Sequence, residues 1–344
     1  MIINILLTEM ESMDSVTQIA LGATVAATAG YKPFGRKTLL AGAFLGTLPD
    51  LDVFIDYGNA VDNYTSHRGF SHSLLVLTAI SIALYLIALK IKPNFHNHRV
   101  ALFLVIFLPL ITHPLLDSFT TYGTQLLWPL TSPPIAWHSI FIIDPLYTLP
   151  LLITVVCLWF SKNKTRWLKL NQWALIFSCG YLAWGQFSQF MISERVKNDN
   201  VAQHQPMLVM PTPFNSIYWR VLSYHQDSYY EAFTYLGDKK PLIWQRYETN
   251  RNLLNASDPE YLARLEWFSH GWLRFDEVNN ELQITDLRLG VAGYHPFKFS
   301  IAAAEKEQEQ FRWRAIEPQQ IPMDKVDTTQ AIEDIKNRMG LSIL

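Results

Sequence analysis

An α-helical polytopic membrane domain, with about four long and two short membrane helices, followed by a soluble α+β domain with a mainly antiparallel sheet, is the fold class this sequence predicts. Three observations lead there. From Asp14 to about Ser193 the chain is a succession of apolar runs. From Glu194 to Leu344 acids and bases are interspersed, and short stretches alternate aromatic with polar residues. The mean hydropathy of +0.08 averages these two unlike halves. The expected division is a leader over 1–12, a helical membrane domain over 13–193 and an extracytoplasmic α+β domain over 194–344.

The leader, MIINILLTEMES, is short and has no basic flank, so it does not read as a signal peptide, and Met13 would serve as an alternative start. Residues 73–89 carry no charge, 100–116 only the titratable His113, 139–160 one acid, Asp144, and 167–192 only Lys169. Each run is about long enough to cross a hydrocarbon core of about 30 Å as a helix. Two shorter runs, 15–30 and 38–48, are rich in small residues that favour close packing or re-entrant helices.

Basic residues set the orientation. Lys32, Arg36 and Lys37, then Lys90, Lys92 and Arg99, then Lys162, Lys164, Arg166 and Lys169 fall in alternate connections, which belong on the cytoplasmic face if every run crosses. Connections 49–71 and 118–138, and everything after 193, then share the outer face of the membrane. Membrane lipids are the expected surroundings. The net charge of -2 gives no reason to expect a nucleic-acid partner, and Cys157 and Cys179, both in apolar runs, indicate no disulfide framework. The oligomeric state is not readable.

The reactive side chains collect at that outer level. "LPDLDVFID" supplies Asp50, Asp52 and Asp56, and "HRGFSH" supplies His67, Arg68 and His72, with Ser71 placed to cap the helix that follows. His113 and Asp117 are four apart, hence on one face of a helix, although Pro114 between them can kink it. Imidazole nitrogens and carboxylates without thiolates suit one or two ions of zinc, manganese or iron. Arg68 is placed to bind an anionic group of the substrate. Singly, each residue also reads as a cap or an interfacial side chain; together, ionisable groups at membrane depth are costly enough to imply function. Asp144, about two turns into its run and near His138, must find a partner, and either it or Asp52 is a candidate general base. Gln18 can reach the same site or bond a neighbouring helix.

The blocks "MDSVTQIALGA" (13–23), "GTLPDLDVF" (46–54), "HRGFSHSLL" (67–75), "THPLLDSFTTYGTQLLWP" (112–129) and "SIFIIDPLYTLPLL" (139–152) resemble the YdjM-like family of membrane-bound metal-dependent hydrolases. The resemblance runs from 13 to about 190 and implies that Asp50, Asp52, His67, His72, His113 and Asp117 are its metal-site residues. Many relatives carry His where this chain has Gln18, which would remove one nitrogen from the site. A more distant similarity to zinc-dependent phospholipases C and related nucleases suggests phosphoester cleavage.

In the second half, 216–224 and 228–236 read as a hairpin across His225-Gln226-Asp227, and 241–248 as a third strand. Residues 258–272 read as a helix capped by Asp258 with Pro259 first. Strands are expected over 273–278, 282–290, 297–303 and 310–316, with Asn279-Asn280 as a turn and a terminal helix over 327–339. His204, His225, His270 and His295 show no partner spacing. The expected function is a metal-dependent hydrolase acting on a phosphoester or other ester of a lipid-linked or membrane-proximal substrate. The rival reading is a divalent-cation carrier or sensor using the same cluster, and a metal-free structural protein is a third.

Overall fold

The computed structural model describes residues 2–130, 133–254, 261–307 and 310–322, together with Glu333. Its helical half is built on α1 (Ile2–Phe34), which packs against α2 (Lys37–Thr47), α5 (Arg99–Ser118), α6 (Pro145–Phe160) and α7 (Lys164–Val196). The small run 15–30 is the axis of this bundle: Ala20, Ala26 and Ala27 are wholly buried. A Cβ on Gly22 would run into the Gly42 carbonyl, and one on Gly46 into the Gln18 carbonyl, so α1 and α2 meet backbone to backbone. That approach brings Gln18 and the Gly46 carbonyl to the level where the reactive side chains gather.

Among the described residues, two stretches have the length and hydropathy to cross a membrane, α4 (Leu74–Ile91) and the continuous helical stretch Pro93–Ser118 that contains α5. The expectation of four long and two short membrane helices is corrected here. Residues 139–144 are not helical, which leaves α6 with 16 residues, about 24 Å, short of a hydrocarbon core. The run 167–192 lies within α7, where Asn171, Gln172, Gln186 and Gln189 dilute its hydropathy. On α4, Leu75, Ile82, Leu86 and Ile87 stay exposed, as a lipid-facing surface requires.

Between α2 and α4 the chain makes a 3-10 turn, Leu48–Phe54, a short helix α3 (Ala60–Ser66) and a second 3-10 turn, Phe70–His72. The cap of α4 is Ser73, whose hydroxyl accepts from Val76 N at 3.4 Å; Ser71, expected there, is turned to another use. Helix α5 continues through Pro109 and Pro114.

The second half holds two four-stranded antiparallel sheets, each with its strands in chain order. The first contains β1 (Met207–Pro211), β2 (Tyr218–Tyr224), β3 (Ser228–Tyr235) and β4 (Gln245–Glu248). The expected hairpin is β2–β3, with Tyr224 opposite Tyr229. Strand β1 was not expected: MLVMP is a continuous apolar run, buried throughout after Met207, and shows no alternation. The second sheet follows helix α8 (Leu262–Ser269) and contains β5 (Leu273–Val278), β6 (Glu281–Asp286), β7 (Lys298–Glu307) and β8 (Gln310–Gln320). Asn279 and Asn280, at φ 55° and 63°, form the β5–β6 turn, the left-handed pair such a two-residue hairpin requires. The expected helix start at Asp258-Pro259 lies outside the described residues, as does the expected terminal helix over 327–339 except Glu333.

Both sheets are joined to the helical half through apolar contacts. Ile192 and Val196 of α7 pack with Val209, Trp219 and Val221 of the first sheet. Val61 and Tyr64 of α3 enter the core of the second sheet, among Phe268, Phe275 and Phe299. The Tyr64 hydroxyl donates to Asp286 at 3.0 Å. Arg264 of α8 holds the end of α3 through Thr65, Ser66 and Asp62.

Candidate functional site

Asp50 of the first 3-10 turn, His72 of the second, and His113 and Asp117 of α5 place four ligand atoms within 4.8 Å of one another. His113 Nε2 stands 3.1 Å from His72 Nε2, 3.1 Å from Asp50 Oδ1 and 3.3 Å from Asp117 Oδ2. His72 Nε2 stands 3.3 Å from Asp50 Oδ1 and 3.1 Å from Asp117 Oδ2. Bonds of about 2.0–2.1 Å to a tetrahedral centre require corner-to-corner spacings of about 3.3–3.4 Å. The five spacings given above, 3.1–3.3 Å, are close to that value.

Its outer bonds decide where the hydrogens lie. His113 Nδ1 faces the Gly46 carbonyl at 2.5 Å, and a carbonyl only accepts, so the proton is on Nδ1 and Nε2 offers a lone pair. Ser71 Oγ donates to Asp52 Oδ2 at 2.5 Å, which leaves its oxygen to accept from His72 Nδ1 at 2.9 Å. With both imidazoles neutral, four acceptors therefore face a common point with no hydrogen among them. A cation resolves that arrangement, and the residues fit one: two nitrogens and two oxygens, with His72, His113 and Asp117 each oriented by an outer partner. Gln18 Nε2 supplies the outer bond to Asp117 Oδ1 at 2.8 Å.

Asp52 and His67 stand outside the group of four. His67 Nδ1 is 2.9 Å from Asp52 Oδ1, and the backbone N–H of Arg68 donates to Asp52 Oδ2 at 3.0 Å. Burial pushes the Asp52 carboxyl up, but the hydrogen bond and charge of His67, helped by His72 and Ser71, outweigh it and hold the group below its ordinary value. Asp50 behaves alike: burial raises it, while the charges and bonds of His113 and His72 hold it well below. His72 is driven down by burial, yet the carboxylates of Asp117 and Asp50 leave it above the usual histidine value. Without a metal, therefore, a proton competes for that site.

Arg68 is buried, with its Nε 3.6 Å from Asp117 Oδ2, its Nη1 donating to Thr120 Oγ1 at 3.2 Å and its guanidinium over the Tyr122 ring at 5.2 Å. It holds a left-handed backbone, φ 60°, strain that a non-glycine residue tolerates where the surroundings impose it. A cavity of about 350 Å³ adjoins the cluster between the two halves, with Asp50, His67 and Arg68 on its helical side. Asp144 makes its bonds elsewhere: it caps α6 through Leu146 N at 2.9 Å and accepts from the Tyr181 hydroxyl at 2.7 Å. Burial with the nearby charges of Arg288 and His270 pushes His138 down to about 3, so it stays neutral.

Ser71, Gly46, Thr120 and Tyr122 were missed as site residues by sequence reasoning. All four lie inside or beside the motif blocks, and that proximity was the available signal. Arg220 and Arg288, which line the cavity from the sheet side, gave none, since a single arginine in an alternating strand reads as a surface charge.

A family model described as YdjM inner membrane protein matches residues 13–191, just over half of the 344 residues. The chain is 32% identical over 117 residues to the inner membrane protein YbcI of Escherichia coli (strain K12), a match covering 33% of this chain and 66% of that one. It is 22% identical over 302 residues to YfhP of Bacillus subtilis (strain 168), described as an uncharacterized protein, a match covering 83% of this chain and 89% of that one. The chain thus spans slightly less than two thirds of the length of YbcI. No solved structure matches it.

Proposed function

The chain belongs to the YdjM inner membrane protein family, and from that premise we propose that it is a membrane-bound metal-dependent hydrolase. Its substrate is a phosphoester, or another ester, of a lipid-linked or membrane-proximal molecule. The observation that carries the reading is the close set of four acceptors, one of which, Asp50, lines a cavity shared with a buried arginine. The proposal includes a chain that crosses the membrane more than once, with the sheet domain on the extracytoplasmic side.

Asp50, His72, His113 and Asp117 would hold one divalent ion, and the N2O2 donor set favours zinc, with manganese or iron as alternatives. When bound, the ion supplies a Lewis acid and a water of lowered pKa. Asp50 is the ligand nearest the opening, with 16% of its side chain exposed. Arg68 would bind the substrate anion, because a guanidinium pairs with phosphate or carboxylate through two donors. Its contact with Asp117 links the anion's place to the cluster.

His67 lines the cavity, and Asp52 occupies its Nδ1, leaving Nε2 to exchange a proton with the reacting group. Asp52, engaged by His67, Ser71 and the Arg68 N–H, acts as the residue that orients rather than as the base itself. The carrier reading needs polar groups continuing across the bilayer. Asp144, the residue best placed to extend them, is bonded instead to Tyr181 and the start of α6.

The test is elemental analysis of the detergent-solubilised protein beside a His72→Ala, His113→Ala variant, followed by assays on lipid phosphoesters with a His67→Gln variant. About one equivalent of metal, lost in the double variant, together with hydrolysis that depends on His67, supports the reading. A wild-type protein that takes up none of zinc, manganese or iron refutes it.

A further inference from the structure

We propose that the sheet domain adds a second anion-binding subsite to the cavity, formed by Arg220 of β2 and Arg288 after β6, so that its ligand is an amphipathic molecule with two separate anionic groups. The place of the first anion, beside the cluster, rests on the hydrolase reading. The second subsite rests on the arginines alone.

Both side chains line the cavity, and both are almost fully buried, at 2% and 1% exposure. Each uses part of its guanidinium on a carboxylate. Arg220 donates through Nε to Glu231 at 2.6 Å and through Nη1 to the Leu287 carbonyl at 2.8 Å. Arg288 donates through Nε and Nη2 to Asp286 Oδ2 at 3.1 and 2.7 Å. The bond to Leu287, the residue before Arg288, fixes the two arginines beside each other.

Each keeps one terminal nitrogen, Arg220 Nη2 and Arg288 Nη1, buried without a hydrogen-bond partner. An unsatisfied buried donor is rare because it is costly, and here the same fault occurs twice at one cavity wall. An anionic oxygen that a ligand carries into reach of both nitrogens would satisfy them, and arginine forks suit phosphate or carboxylate. Phe141, Phe214, Phe233 and Phe297 supply apolar wall to the same space. Arginines contributed by both halves and rings in the same lining describe a lipid-like body with two charged groups.

The test measures binding, by calorimetry, to the full chain in detergent after its metal has been removed by chelation, so that no ion at the cluster attracts the anion. The probes are dodecyl phosphate, dodecanol and inorganic phosphate. Variants change each arginine with its own counter-ion, Arg220→Met with Glu231→Gln and Arg288→Met with Asp286→Asn, so that no buried charge is stranded. Dodecyl phosphate is expected to bind the metal-free protein and to bind either paired variant at least about tenfold more weakly, as loss of a charge-assisted bond requires. Arg288→Lys, which keeps the charge but not the fork, is the milder second variant and should also weaken binding.

Unchanged affinity in the paired variants and in Arg288→Lys overturns the proposal, as does dodecanol binding the wild type as well as dodecyl phosphate. Inorganic phosphate binding as tightly as dodecyl phosphate overturns the amphipathic ligand, whereas much weaker binding supports a lipid source. The outcome is independent of hydrolysis: the subsite can stand if no esterase activity is found, and fall if activity is.

Discussion

Around the cluster, four ligand atoms of the helical half face one another, and with both imidazoles neutral no hydrogen lies between them, so a proton or a metal ion must come in from outside. In the sheet domain the arrangement is reversed. Arg220 has Glu231, Arg288 has Asp286, and the charges cancel within the chain. The same cost, burying ionised groups, is met by recruitment in one half and by pairing in the other. The two halves should therefore fail differently when a single charged residue is removed, one in metal binding and the other in folding.

The largest expected effect is on the paired side. Arg220→Met alone strands Glu231 at 1% exposure and should cost about 3–5 kcal/mol, read as a drop in Tm with metal content per folded molecule unchanged. A small change in Tm would break the comparison. His72→Gln should do the converse: metal affinity falls by more than about 100-fold, beyond the range of outer-bond losses, while the metal-free protein keeps its Tm. Ser71→Ala, which removes the bond that orients His72 together with the one to Asp52, should weaken metal binding by about tenfold in competition with a chelator.

The pH dependence sharpens the same point. His72 is held above its ordinary value of about 6.5, so in the metal-free protein its proton persists above that pH and an entering ion must displace it. Apparent metal affinity should then fall as pH falls, beginning above 6.5 and by about tenfold per unit for each competing proton. Titration of metal uptake between pH 8 and 5.5, a range chosen about that value, measures it. The smallest effect is expected at the join of the halves: Tyr64→Phe removes the hydroxyl bond to Asp286 and should cost about 1 kcal/mol in Tm experiments, with metal uptake unaltered.

The recruiting half was the legible one. His67, Arg68, His72, His113 and Asp117 stand out because they sit at the entrance or the end of apolar runs, at membrane level, where an ionisable residue has few structural excuses. What spacing does not convey is the division of labour among them. Asp50 and Asp52 are two apart in a 3-10 turn, and only the fold shows Asp50 directed to the cluster and Asp52 to His67. Ser71 and Ser73 are two apart as well, and the cap falls on the second because the Phe70–His72 turn delays the helix. Apolar length overstated the number of crossings, since a run that bends at 139–144 or is buried in its own bundle has the same composition as one in lipid. In the sheet domain, alternation marked the edges of β2, β3 and β5, but it could not distinguish a buried arginine from a solvated one. The cavity's sheet wall is for that reason the part of the site that needed three dimensions.

Helix α7 has 33 residues, about 50 Å, and its last turn is inside the first sheet's core rather than before it. The join between the halves is thus a tenon seated in a mortise, with Ile192 and Val196 as the buried end. Four turns down the same rod, Tyr181 holds Asp144 at the start of α6. A ligand that shifts the sheet wall of the cavity therefore pulls on a stiff strut anchored among the bundle's helices, and the two halves report each other's movements mechanically.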